Sequence, residues 1–192
     1  IPAGFLIDLP NLPGWVNVPI RDQLGQRLGK PTVLQNDGNA AAFGEYWAGG
    51  GRDTRSLVLF TLGTGVGCGI VVDGRILEGR HSHGGECGHI IIQADNARQC
   101  TCGGYGHLEA YASAKSLVKR ATEALPSEPG SSLHEANNRG ALTSQTIADE
   151  AARGDALARR LMNETARYLA IGAVSLMHTI DPVVVLFGGG MI

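Results

Sequence analysis

No stretch of the 192 residues approaches the roughly eighteen consecutive apolar positions of a membrane-spanning helix, so no membrane partner is expected. The opening IPAGFLIDLP has no basic region, and its apolar run is too short for a secretory signal. The expected compartment is therefore the cytoplasm. Neither sign of charge prevails: 16 basic residues face 18 acidic ones, a formal net charge of −2. That balance argues against a nucleic-acid surface dominating the chain. No internal repeat is visible. Cysteine is scarce, with only Cys68, Cys87, Cys100 and Cys102. A single residue separates Cys100 from Cys102, a spacing that suits a metal ion better than a disulfide framework.

Glycine, by contrast, is abundant at 28 residues, clustered rather than periodic, and so marks tight turns and ligand loops. The length suits one large domain or a domain and a half, and 43% hydrophobic residues allow a sizeable core. Residues 1–20 carry Pro and Gly at short intervals and read as an extended loop. A helix is predicted over 21–28, ended by Gly29 with Pro31 beyond. A short apolar strand at 32–35 and an Ala-rich helix at 38–48 follow. SLVLFTL at 56–62 is a continuous apolar run, the pattern of a buried strand. A second strand is predicted at 68–72, with Asp73 and Gly74 turning the chain into 75–77. Residues 108–124 read as one helix, and the polar segment 126–139 as an exposed loop or helical connector. Thr143 can cap a helix through Arg153, and Asp155 can cap the next. That last helix carries Leu157, Leu161, Leu169, Leu176 and Ile180 near one face, until Pro182 breaks it before the buried strand PVVVLF. Strands and helices alternate, which is the α/β class.

Three groups of residues carry chemistry. Cys100, Cys102 and His107 fit a compact zinc knuckle, and His89 can supply a fourth ligand from across a loop. The plain alternative is two buried thiols and two surface histidines. Gly63, Thr64, Gly65 and Gly67 directly follow a predicted buried strand, where small residues let backbone N–H groups approach phosphate oxygens. A tight β-turn explains the same residues, and no Gly-Lys-Ser/Thr follows to make a Walker loop. Asn36 and Asp37 stand between a predicted strand and a helix, where a carboxylate can take a proton from an attacking hydroxyl. Asp at that position is also an ordinary helix cap.

NLPGW at 11–15, QNDGNAAAFGE at 35–45, LGTGVGCGIVVDGRI at 62–76, GGECGH at 84–89, CTCGGYGHLEAYAS at 100–113 and DPVVVLFGGGM at 181–191 occur in the order of one family. In these six motifs, which together extend over nearly the whole chain, the sequence resembles the ROK family of repressors and sugar kinases. The resemblance implies an actin-like ATPase (ribonuclease H-like) fold of the hexokinase type. Residues 1–50 would then close an incomplete N-terminal lobe, and 51–192 would form most of the C-terminal lobe. It implies Asp37 as catalytic base and Asn36, Glu86, His89 and Glu109 as sugar ligands. The GTGVG loop would hold ATP phosphates together with Mg²⁺, and Gly188, Gly189 and Gly190 would border the adenosine. His89, Cys100, Cys102 and His107 would hold a structural Zn²⁺, with Cys68 and Cys87 as bystanders.

Two departures stand out. His107 occupies the place of the family's usual third cysteine, and the family's first phosphate loop, Asp-x-Gly-Gly-Thr, is nowhere in the sequence. The chain therefore reads as a fragment of a longer kinase and is expected to be inactive alone. The implied activity is ATP-dependent phosphorylation of the 6-hydroxyl of a hexose, glucose first. A sugar-sensing repressor of the same family is the alternative, and a zinc-stabilised domain that binds no sugar is a third reading. A homodimer is a further partner that the resemblance allows.

Overall fold

A computed structural model describes residues 4–8 and 13–192; the first three residues and positions 9–12, with the start of the NLPGW motif, lie outside that description. Strands β1 (Leu6–Asp8) and β2 (Val16–Val18) pair antiparallel, so the region read as an extended loop contains a short hairpin. Helix α1 (Ile20–Leu28) ends at Gly29 with φ 61°, a left-handed cap that costs glycine nothing. The strand expected at 32–35 does not form. Among the described residues no strand pairs with it, and Val33 is 85% exposed. An apolar run makes a strand only where a ladder partner exists.

Helix α2 (Asp37–Ala48) starts where the Asn36 side chain accepts the Asn39 N–H at 3.2 Å. It lies across a four-stranded sheet in the order β5-β4-β3-β6, built from β3 (Leu57–Leu62), β4 (Val66–Val72), β5 (Arg75–Ile76) and, after the helices, β6 (Val184–Gly188). β3 runs antiparallel to β4 and parallel to β6. Asp73 and Gly74 turn β4 into β5, both with positive φ, as a two-residue hairpin turn requires. A Cβ on Gly38 would meet the Cys68 carbonyl oxygen at 2.5 Å. The helix therefore rests on β4 backbone to backbone, and only glycine permits that approach.

Side chains of β3 alternate between two cores. Leu57 and Leu59 pack with Ala42 of α2 and Val71, whereas Val58, Phe60 and Leu62 pack with Val66, Ile70 and Leu108. Each buried Leu, Val or Phe contributes about 1.5–3 kcal/mol, so this doubly covered strand anchors the fold. β6 is less buried than its apolar sequence suggests. Among the described residues it has one neighbour, β3, and Phe187 remains 41% exposed.

The helix expected over 108–124 is broken. α3 (Glu109–Ala112) ends at Ser113, whose extended backbone and side chain, accepting the Ser116 N–H at 3.2 Å, start α4 (Ala114–Ala124). Inside the polar connector, α5 (Leu133–Asn138) buries Leu133 completely. It packs with α6 (Ser144–Arg153) and α7 (Ala156–Ile180) around Leu117, Ile147, Leu157 and Leu161. The predicted caps Thr143 and Asp155 accept the Thr146 and Ala158 N–H groups at 3.1 and 2.7 Å. Leu176 of α7 reaches the sheet core, so this one helix joins both hydrophobic clusters. Among the described residues no helix is long and apolar enough to cross a membrane.

Candidate active site and metal centre

The GTG segment joins β3 to β4 as a tight hairpin, with Leu62 opposite Val66 and the Gly63 N–H donating to the Gly65 carbonyl at 3.1 Å. The tight β-turn that these residues allow is thus formed. α4 is tied to this turn, because the Ala114 N–H donates to the Gly63 carbonyl at 2.9 Å. Gly65 faces Glu109 so closely that a Cβ would overlap its carboxylate. One carboxylate oxygen of Glu109, Oε2, accepts the Val66 N–H at 3.1 Å. The other, Oε1, accepts the Thr101 hydroxyl at 2.7 Å.

Asn36 and Asp37 divide two jobs. Asn36 is the helix cap, and Asp37 is the first helical residue, exposed, with its Oδ1 accepting the Gly38 N–H at 2.9 Å. The helix N-terminus favours its negative charge. Gln35 organises the pair: its Oε1 accepts the Asn36 N–H at 2.8 Å and the Asn39 amide at 3.4 Å, while its Nε2 donates to Glu78. Neither Gln35 nor Thr101 stood out in the sequence. Gln35's one signal was its place directly before Asn-Asp.

Asp37, Glu86, His89, Glu109, the turn from Gly63 to Gly67, Gly189 and Gly190 line one cavity of about 420 Å³. Asn36 and Gly188 are not on its wall. The Asn36 Oδ1 is committed to capping, and Gly188 is the last residue of β6, opposite Thr61. A neighbouring cavity of about 600 Å³ shares Thr64, Gly65, His89 and Glu109 and continues to Cys100 and Cys102.

His89, Cys100, Cys102 and His107 converge, with one ligand atom from each within 4.8 Å of the others. Cys102 Sγ lies 3.2 Å from His107 Nδ1, and Cys100 Sγ lies 3.8 Å from His89 Nδ1. A zinc tetrahedron with ordinary bond lengths has edges of roughly 3.3–3.8 Å, so these two pairs are near such edges and the wider pairs, all within 4.8 Å, would draw in on the ion. Burial, more than any other cause, pushes the Cys100 thiol up, so a thiolate there needs a cation beside it. His107 brings an imidazole nitrogen into the group, and imidazole is an ordinary zinc ligand. Gly104 leaves room for its ring, since a Cβ there would meet His107 Cε1 at 2.5 Å.

Cys68 and Cys87 belong to the sheet core, 5% and 4% exposed, away from this group. A shared hydrogen bond first, and burial second, raise the Cys68 thiol; the same bond lowers Cys87.

Residues 2–192 match the ROK family. A glucokinase of Thermotoga maritima is 37% identical over 189 residues, and one of Halalkalibacterium halodurans is 36% identical over 190. Each alignment covers 98% of this chain, but only 59% and 57% of those relatives' length. A ROK family glucokinase from Streptomyces griseus, solved with glucose and AMPPNP, superposes with a TM-score of 0.81 at 32% identity, over 98% of this chain and 61% of that one. A ROK family transcriptional regulator, a homolog of the E. coli MLC protein, superposes at 0.86 with 30% identity, over 99% of this chain and 47% of that one. With its motifs, its mixed α/β architecture and these likenesses in agreement, the chain belongs to the ROK family and shares the actin-like ATPase fold of its hexokinases and glucokinases.

Proposed function

We propose that this chain forms the sugar-binding and second phosphate-binding part of an ATP-dependent hexose kinase, with glucose as the first substrate to test. One observation carries the reading: Asp37, Glu86, His89 and Glu109 face the same cavity as the Gly63–Thr64–Gly65 turn. Three carboxylates, an imidazole and a glycine-rich turn thereby surround one volume, which supports the reading. Phosphoryl transfer asks mainly for positioning and charge stabilisation around such a volume.

In this reading the hexose lies between Glu86, His89 and Glu109, with its 6-hydroxyl toward Asp37. Asp37 Oδ1 is held by the Gly38 N–H, and Oδ2 takes the proton as the hydroxyl oxygen attacks the γ-phosphorus, while the bond from that phosphorus to the β–γ bridging oxygen breaks and ADP leaves. Backbone N–H groups of the GTGVG turn hold phosphate oxygens, and Gly189 and Gly190 border the nucleotide beyond them. Mg²⁺ accompanies the ATP phosphates and supplies charge neutralisation. Zinc at His89, Cys100, Cys102 and His107 has a structural role, with four protein ligands and no open position. His89 turns Nδ1 toward that group, which leaves Nε2 for a sugar hydroxyl. The division near residue 50, the cytoplasmic location and the hexose preference belong to the same reading.

A ROK repressor is the second reading, favoured by the likeness to a transcriptional regulator over 99% of this chain. Retention of Asp37 and the GTGVG turn supports the kinase instead, because a sensor needs neither a base nor a phosphate loop. A coupled ADP-release assay on the full-length protein across a hexose panel separates the two. Sugar-dependent ADP release is expected. Tight sugar binding without any release would establish the sensor.

A further inference from the structure

Glu109 joins two loops that the proposed mechanism treats separately. Its Oε2 accepts the N–H of Val66, the fourth residue of the GTGVG turn. On the other side, Oε1 accepts the hydroxyl of Thr101 and lies 3.5 Å from Cys100 Sγ. Thr101 is the residue between the ligand candidates Cys100 and Cys102, so the metal loop fixes its position. Missing Cβ atoms complete the junction: any side chain at Gly65 would displace the carboxylate. A carboxylate offers about four acceptor sites. The two strong donors, Thr101 and Val66, take one on each oxygen and leave capacity for a sugar hydroxyl.

The geometry points to Thr101 as a positioning residue: we propose that its hydroxyl sets the Glu109 carboxylate for sugar binding and, through Glu109, holds the phosphate turn at a fixed distance from the metal loop. This rests on Glu109 being a sugar contact, and it goes further by naming what orients that contact. Among the described residues the Thr101 hydroxyl is the only side-chain O–H bonded to the Glu109 carboxylate, since the Ser116 hydroxyl donates to the Glu109 backbone carbonyl instead. Without it, Oε1 keeps only the weak thiol donor of Cys100, and a thiolate bound to zinc no longer donates. Glu109 is then free to turn away from the cavity wall. A hydrogen bond to a charged group is worth roughly 10–100-fold in an equilibrium, so its loss is expected to weaken sugar binding by about that much or less.

The test compares Thr101→Val, Thr101→Ser, Glu109→Gln and the double variant Thr101→Val/Glu109→Gln in the full-length protein. Sugar affinity is read by calorimetry, metal content by elemental analysis, and the kinase rate separately at saturating sugar. Thr101 is exposed, so the near-isosteric valine leaves the core intact. Expected are sugar affinity about ten-fold weaker in Thr101→Val, unchanged zinc, recovery in Thr101→Ser, and a double variant no weaker than Glu109→Gln alone. Unchanged affinity in Thr101→Val, or additive losses in the double variant, overturns the proposal. Loss of zinc in Thr101→Val overturns it too, since Thr101 would then serve the metal loop rather than Glu109. If Glu109→Gln leaves sugar affinity intact, the assignment of Glu109 as a sugar contact fails, and the proposal for Thr101 falls with it.

Discussion

Replacing Asp37 with Asn separates the two roles that an acidic residue can have at the start of α2. The structure assigns the cap to Asn36, whose side chain accepts the Asn39 N–H at 3.2 Å. Asp37 contributes to the helix only as a charge in its first turn and through the 2.9 Å contact with the Gly38 N–H. A charge there is worth about 0.3–1 kcal/mol at an exposed site. The amide of Asn keeps the size and an acceptor oxygen, so the stability loss stays at or below that range. Catalysis loses far more. An amide cannot take the hydroxyl proton, and loss of a general base lowers the rate roughly 10²–10⁴-fold, or about 2.7–5.4 kcal/mol of barrier. In the full-length protein, Asp37→Asn is therefore expected to unfold within a few degrees of the parent, bind sugar with similar affinity and lose nearly all phosphoryl transfer. Steady-state rates, calorimetric sugar binding and a thermal melt on one preparation test the three statements together. A variant that kept most of its activity, or lost stability and activity in proportion, would refute the role given to Asp37.

Three further outcomes follow from the same geometry. Purified protein should hold about one zinc per chain, and Cys100→Ala should lose it and raise the sugar KM, since the turn carrying His89 and the loop carrying Thr101 both loosen; a metal-free preparation with unaltered sugar affinity refutes that coupling. Exchanging the neighbours, Asn36→Asp with Asp37→Asn, preserves composition and a competent cap, so the protein should fold normally yet be inactive; retained phosphorylation of sugar would show that the base is not tied to the first helical position. The 192 residues alone should bind hexose weakly and show no measurable kinase activity, because they contain no Asp-x-Gly-Gly-Thr loop; robust ATP-dependent phosphorylation by them would remove that loop from the mechanism.

Legibility in the sequence followed the range of the interactions. Local devices were read correctly: the caps at Thr143 and Asp155, the Asp73–Gly74 turn and the doubly covered strand β3. Errors arose where partners distant in sequence decide the outcome. Residues 32–35 had strand composition but lacked a neighbouring strand, and Ser113 interrupts an otherwise helical run by capping α4 with its own side chain. Leu133 reads as one apolar residue in a polar connector, yet α5 buries it against α4, α6 and α7. Within the site, the charged residues and the Cys/His group were candidates by residue type alone. Gln35 and Thr101 were not, because an amide or hydroxyl on a loop is common and its partner, Glu78 or Glu109, lies elsewhere in the chain.

The cavity residues themselves span positions 37 to 190, and the sheet explains why they meet. β3 and β6 are parallel, with Thr61 opposite Gly188, so both strands finish at one edge of the sheet. The antiparallel β4 begins at that edge, with Val66 opposite Leu62. Three strand ends therefore deliver the GTG turn, Val66 and Gly189 side by side, and the Met191 N–H closes the corner on the Leu62 carbonyl at 3.3 Å. Strand ends in α/β sheets are where ligand crevices form. The glycine contact between α2 and β4 then brings the N-terminus of α2, and with it Asp37, to the same corner. The 3₁₀ turn Cys87–His89 packs on β4 so closely that a Cβ on Gly88 would overlap the Val66 carbonyl, which places Glu86 and His89 opposite. Gly38 and Gly88 thus allow the close backbone approaches that set this corner. Each close backbone approach brings another polar residue to the end of the sheet, and a methyl group at any one of them would open the corner.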